Sequence, residues 1–200
     1  MNLFIPSKLN WSERGLGLQQ TSRFPNEEKI TFRITSAPKQ ATALKLRIPY
    51  WATKDVSIRV NGALQSVAVA PASYAVVEHA WAVGDVVELV LPLTLHTAPA
   101  NDDHQVQAAM YGPLVLAAVL GTEGLTTGMI YGGSGPDDGQ RGMPMPEVHG
   151  ASGTWFEQTE ATAQYSLRFR SKGSGAIHTL VPLGQITDER YSIYLRNLSA

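Results

Sequence analysis

The stretch LRIPYWATKDVSIRVNG, residues 46–62, decides how the rest of the chain is read. Leu46 and Ile48 flank Arg47, and Val56, Ile58 and Val60 alternate with Ser57 and Arg59. A period of two puts successive side chains on opposite faces of a strand, so each segment has one apolar and one wet side. Pro49 closes the first segment, since proline has no amide to give to a ladder. Asn61-Gly62 tolerates positive φ at both central positions of a type I′ turn and predicts a hairpin. Between the two segments stands an aromatic pair, Tyr50-Trp51. This layout suits a sugar-binding platform, an enzyme wall or a plain sandwich core, and the remaining sequence has to choose.

The same alternation runs through the flanking segments. In KITFRIT, residues 29–35, Ile30, Phe32 and Ile34 share one face; in ALKLRIP, residues 43–49, Leu44, Leu46 and Ile48 do. Gly84-Asp85 separates YAVVEHAW from DVVELVLPL as a second turn of the same kind, and Pro92 closes the latter strand. YGPLVLAAVL, residues 111–120, is apolar throughout and reads as a strand buried on both faces. Short strands with turn chemistry between them predict an antiparallel sandwich over residues 1–120, with Phe32, Leu46, Ile58 and Leu89 in one core. From 121 to 153 the pattern fails: ten of these 33 residues are glycine and three are proline. Such a stretch offsets little of its ordering entropy and reads as a Gly-rich linker or long loop. YSLRFR, HTLVPL and RYSIYLR then predict a small β element over 154–200, held by docking on the sandwich. The fold class is all-β.

Composition narrows the function. The 200 residues are 44% hydrophobic and 16% charged, with a formal net charge of -1, enough apolar surface for a real core. That balance offers no basic face for nucleic acid, and no segment approaches the ~20 apolar residues of a membrane span. The absence of cysteine excludes disulfide scaffolds, thiolate zinc sites and cysteine nucleophiles, and suits cytoplasm and periplasm alike. MNLFIPSKLNW lacks the basic and apolar regions of a secretory signal. Its strand-like start leads one to expect a natural chain that extends upstream.

The candidates for chemistry are sparse. Glycosidases use two carboxylates flanking the scissile bond, but the pairs Glu27-Glu28, Asp102-Asp103 and Asp137-Asp138 sit in turn-like contexts and read as solvated turn residues. His96 with Asp102, Asp103 and His104 brings metal-ligand types together without a known ligand spacing, and His79, His149 and His178 are scattered. GGSGPDDG, residues 132–139, lacks the Gly-Lys-Ser/Thr ending of a phosphate loop. Neither Ser134 nor Ser174 sits in a Gly-x-Ser-x-Gly elbow. Asn10-Trp11-Ser12 and Asn197-Leu198-Ser199 fit the glycosylation pattern, which is common by chance. Trp11, Tyr50, Trp51, Trp81 and Trp155 have rings that stack on sugars or fill cores, and packing is favoured because no two share a strand face at i, i+2. No catalytic residue, cofactor or metal ligand is assigned.

The order NLFIPSKLNW, LRIPYWA, VNG, WAVGDVVELVLPL and YGPLVLA resembles the β-sandwich that follows the catalytic barrel in glycoside hydrolase family 127, whose founding activity is β-L-arabinofuranosidase. TLVPLGQITDERYSIYL, residues 179–195, resembles that family's carboxyl terminus, although Gly184-Gln185 replaces an aromatic, Thr187 a histidine and Leu195 a final tryptophan. The resemblance implies a non-catalytic accessory region whose partner is a catalytic α/α barrel that this chain does not contain. The family's zinc-bound cysteine nucleophile and acid/base glutamate lie in that barrel, so none is carried over. A second copy of the chain and a carbohydrate are the further partners it admits. Two other readings stay open: a stand-alone carbohydrate-binding module using Trp51 or Trp81, and a small metal-dependent hydrolase built around His96 to His104.

Overall fold

The computed structural model describes residues 1–123, 125, 145–151 and 153–199. The chain is all-β, with only two short 3-10 turns among the elements named. It divides into two compact units, Met1–Thr94 and Leu95–Ala200.

The first unit is an antiparallel sandwich. Its strands are β1 (Ser7–Trp11), β2 (Leu16–Ser22), β3 (Lys29–Ser36), β4 (Thr42–Ile48), β5 (Ser57–Val60), β6 (Ala63–Leu64), β7 (Ser73–His79) and β8 (Val86–Val90). Six of them form a sheet in the order β1-β2-β3-β8-β5-β6, while β4 pairs with β7 alone. Register turns the sequence alternation into core rows. Leu89 of β8 faces Ile30 on one side and Ile58 on the other, and Val87 faces Phe32 and Val60. On the smaller sheet Leu44 opposes Val77 and Leu46 opposes Ala75. Phe32, Leu46, Ile58 and Leu89 all lie in one buried cluster, as the alternation predicts. Asn61 and Gly62 have φ of 50° and 82°, the left-handed pair a type I′ hairpin needs, and they join β5 to β6.

Gly84-Asp85 closes no hairpin. β7 belongs to the small sheet and β8 to the large one, so this turn carries the chain between sheets. It is locked by long-range bonds: the Gly84 amide donates to Ile34 O, the Ile34 amide donates to Asp85 O, and Asn61 Nδ2 donates to Asp85 Oδ1 at 2.9 Å. A sheet-switching turn and a hairpin turn need the same glycine, and the local sequence does not distinguish them.

The second unit contains β9 (Leu95–Pro99), β10 (Val106–Tyr111), β11 (Leu114–Val119), β12 (Glu147–Val148), β13 (Phe156–Thr159), β14 (Arg168–Ser171), β15 (Thr179–Pro182), β16 (Tyr191–Ser192) and β17 (Tyr194–Asn197), all in one nine-stranded sheet. Gly112, with φ of 53°, and Pro113 make a two-residue turn that folds YGPLVLAAVL back on β10, so the strand begins at Leu114 and not at Tyr111. Leu116, Ala117 and Ala118 are consecutive and fully buried, so the core of this segment is buried on both faces. The β10–β11 stems then part. The chain rises along β11 through Tyr191–Ser192, bends at Ile193, and descends along β10 through Tyr194–Asn197.

The unit boundary at 94/95 differs from the boundary at 120 expected from sequence. β10 and β11 pair with β15, β16 and β17 rather than with any strand before Leu95. The strands after 154 are therefore part of this sheet and not a separate small element. Within the expected linker, Glu147–Val148 pairs parallel to β17 and Val148 is buried; residues 126–144 lie outside the described residues. Period-2 patterning shows which face of a strand is buried, but strand partners are chosen by burial across long chain separations.

Candidate functional site

Most residues singled out in the sequence serve the fold. Glu27 pairs with Arg23 at 3.0 Å, and Glu28 Oε1 accepts from the Leu93 amide at 2.8 Å, clamping the chain as it leaves β8. Asp103 Oδ2 accepts from Arg196 Nη1 at 2.9 Å and Oδ1 from the Gln105 amide. The guanidinium of Arg196 first, and that amide next, hold the Asp103 carboxyl below the usual carboxylate range. His96 sits on β9 opposite Met110. His104 is exposed, and its carbonyl accepts from Gln107 Nε2. Among the described residues no three His, Cys, Asp or Glu side chains are grouped to hold a metal ion. His79 Nε2 lies 3.6 Å from Asp85 Oδ2, a local contact, and His178 Nε2 lies 3.1 Å from Glu147 O. The carbonyl of His149 faces Gly173. Asp137-Asp138, Ser134 and the segment 132–139 lie outside the described residues. Asn197 is fully buried and donates Nδ2 to Gly150 O at 2.8 Å, so its sequon serves packing in the folded chain.

The aromatics divide. Trp51 is buried and stacks on Phe24 with centroids 5.9 Å apart; Trp81 is buried and donates Nε1 to Thr42 O at 2.7 Å. Trp155 is buried in the second unit. These three are core, which removes Trp51 and Trp81 as the platform of a binding module. Trp11 is exposed on β1 with the Arg14 guanidinium 5.5 Å from its ring. Leu9 and Trp11 are exposed on β1, an edge strand of the six-stranded sheet, and Leu3 and Ile5 are exposed in the segment that precedes it.

Tyr50 behaves differently from its neighbour. Its ring is 63% exposed on a cleft of about 440 Å³ lined by Asn2, Arg47, Tyr50, Ala72, Ser73 and Tyr74. The ladder between β4 and β7 positions these groups: Arg47 lies directly across from Tyr74, and Ile48 from Ser73, with Arg47 and Tyr74 on the outer face. The Tyr74 hydroxyl donates to Asn2 Oδ1 at 2.8 Å, and the Arg47 amide donates to Met1 O at 3.0 Å, fastening the amino-terminal segment to the rim. Asn2, Arg47, Ser73 and Tyr74 escaped the reading of the sequence. The outward alternation of Arg47 and Tyr74 was visible; their adjacency follows from pairing two strands that are separated by a hairpin belonging to the other sheet.

The middle-domain model of the GH127 β-L-arabinofuranosidases matches residues 1–93. No curated protein matches the chain. Among solved structures the fold is similar to a glycoside hydrolase, with a TM-score of 0.62, 20% identity, and coverage of 95% of this chain and 34% of that one. It is likewise similar to a GH127 β-L-arabinofuranosidase from Geobacillus stearothermophilus T6, with a TM-score of 0.65, 13% identity, and coverage of 98% and 33%. A GH127 β-arabinofuranosidase gives 0.62, 18% identity, and coverage of 96% and 33%. At these identities the likeness is one of fold, and the chain spans about a third of the length of those proteins. The matched residues hold all eight strands of the sandwich and its whole buried cluster, so the first unit, through Leu93, is similar to the middle domain of the GH127 β-L-arabinofuranosidases.

Proposed function

We propose that the chain is the non-catalytic accessory region of a GH127-type glycoside hydrolase, supporting a catalytic barrel carried outside these 200 residues. The observation that carries this reading is the middle-domain match over residues 1–93, in a chain one third as long as the structures it resembles. The exposed Leu9 and Trp11 on the edge strand β1 support it, because apolar side chains on an uncovered sheet edge suit burial against another domain. The acidic pairs give no second support for catalysis: Glu28 and Asp103 are bound to backbone amides and to Arg196. The parent would be a β-L-arabinofuranosidase-like hydrolase, and this chain alone would be inert. Pure protein incubated with a p-nitrophenyl arabinofuranoside should release no more nitrophenol than a boiled control. Steady turnover above that control would overturn the reading.

A further inference from the structure

We propose that the cleft between β4, β7 and the amino-terminal segment binds an acidic sugar, a glycan unit whose ring lies on Tyr50 and Tyr74 and whose carboxylate meets Arg47. This goes beyond the accessory role and stands without it, since it rests on the first unit alone.

Four observations converge. The cleft, at about 440 Å³, falls within the range of roughly 300–1,000 Å³ typical of small-ligand sites. Two phenol rings remain accessible in it, Tyr50 at 63% and Tyr74 at 49%, and amphipathic rings of this kind give a sugar an apolar face to lie on at little entropic cost. Asn2 Nδ2 adds an amide donor, and Ser73 Oγ, which donates to Ala70 O, keeps its lone pairs to accept from ring hydroxyls. The charge is one-sided. Among the described residues Arg47 is the one charged side chain lining the cleft, and its guanidinium makes no ion pair or side-chain hydrogen bond with them. Lys45 lies two residues away on the same outer face, whereas the carboxylate of that face, Glu78, is at the far end of the ladder opposite Ala43.

An unpaired guanidinium beside two aromatic rings selects among sugars. Its planar fork offers two parallel donors to a carboxylate, a bond about twice as strong as a neutral one. A neutral sugar would cover Arg47 without matching its charge. The geometry is also set before any ligand arrives. The floor is a paired ladder, Tyr74 is held by Asn2, and Ala72 keeps a left-handed φ of 57° at the rim, a strained conformation that the surrounding structure must enforce. A preformed site loses little affinity to ordering.

The test is isothermal titration of the full chain with trigalacturonic acid and, in parallel, with arabinotriose, followed by amide chemical-shift mapping. The acidic probe should bind and shift Arg47, Tyr50 and Tyr74, with affinity falling as salt is raised. The neutral probe should bind about tenfold more weakly, the scale of one charge-assisted pair. Arg47→Gln should remove that preference, and Tyr50→Ala should weaken both probes; both side chains are exposed, so circular dichroism should show unchanged folding. The proposal is overturned if the acidic probe gives no heat and no shifts at millimolar concentration. It is equally overturned if the two probes bind alike, or if Arg47→Gln leaves the preference intact.

Discussion

Trp155 Nε1 donates to Gln107 Oε1 at 3.0 Å, joining two buried side chains 48 positions apart. Gln107 Nε2 donates onward to His104 O, and Asn197 Nδ2, 3.5 Å from the same Oε1, is mainly given to Gly150 O. The Gln107 amide thus ties β10 to β17 and to the residue that enters β13, and Asn197 extends the tie to Gly150. Trp155→Phe keeps an aromatic ring but leaves Gln107 Oε1 with that one long contact. Stranding a buried acceptor costs about 1–3 kcal/mol, and urea melts should show it. Adding Gln107→Leu should recover part of the loss, because the unpaired acceptor goes with it.

Phe32→Ala should cost about 3–5 kcal/mol, the usual penalty for opening a cavity in a packed core. Phe32 is fully buried in the middle strand row, between Gln20 and Val87. Trp11→Ala, on the exposed edge strand, should change stability by less than about 0.5 kcal/mol. Equal losses in the two variants would contradict the burial assigned to them.

Gly62 and Gly173 separate two costs of a side chain. At Gly62, φ is 82° and nothing lies within 4 Å of an added Cβ. Gly62→Ala therefore carries backbone strain alone, about 1–2 kcal/mol. At Gly173, φ is 102° and the Cβ would stand 2.4 Å from the carbonyl oxygen of His149. Gly173→Ala adds a collision with backbone that no rotamer relieves, so its midpoint in urea should fall well below that of Gly62→Ala.

These variants mark what the sequence discloses and where it stops. The faces of β3, β4 and β5, the hairpin at Asn61-Gly62 and the core position of Phe32 follow from alternation and turn chemistry, which are local. Partner choice is not local. Nothing around Tyr111 distinguishes a strand of the first unit from a strand that forks around Tyr191–Asn197, because both bury the same apolar faces. Val148 lies in a glycine-rich stretch without periodicity, and its burial depends on β17, which comes some fifty residues later. The cleft shares this difficulty: Tyr50 was a candidate on its type alone, but Arg47 and Tyr74 become neighbours only when β4 finds β7.

Tyr165 and Glu189 should give the second unit a sensitivity to both ends of the pH scale. The Tyr165 hydroxyl donates to Glu189 Oε1 at 2.6 Å, and Gln164 Nε2 donates to the same oxygen. Burial, and after it the bond to Glu189, pushes the Tyr165 phenol up to about 12. The Tyr165 hydroxyl in turn holds the Glu189 carboxyl below its ordinary value. For the phenol, folded and unfolded chains are both protonated below the unfolded value of about 10. Its contribution is therefore whole there and is lost as pH rises towards 12, where the unfolded chain has ionised first. For Glu189 the sign reverses: the contribution is present above the unfolded carboxylate value of about 4.3 and is lost as pH falls through the lower folded value. Tyr165→Phe should flatten the loss on the alkaline side and lessen it on the acid side. It should leave untouched the acid loss from Asp103, which depends on Arg196. Urea midpoints at pH 3, 7 and 11, with absorbance at 295 nm following phenol ionisation, would read both limbs. An alkaline slope identical in wild type and Tyr165→Phe would show that this phenol ionises as freely in the folded chain as in the unfolded one.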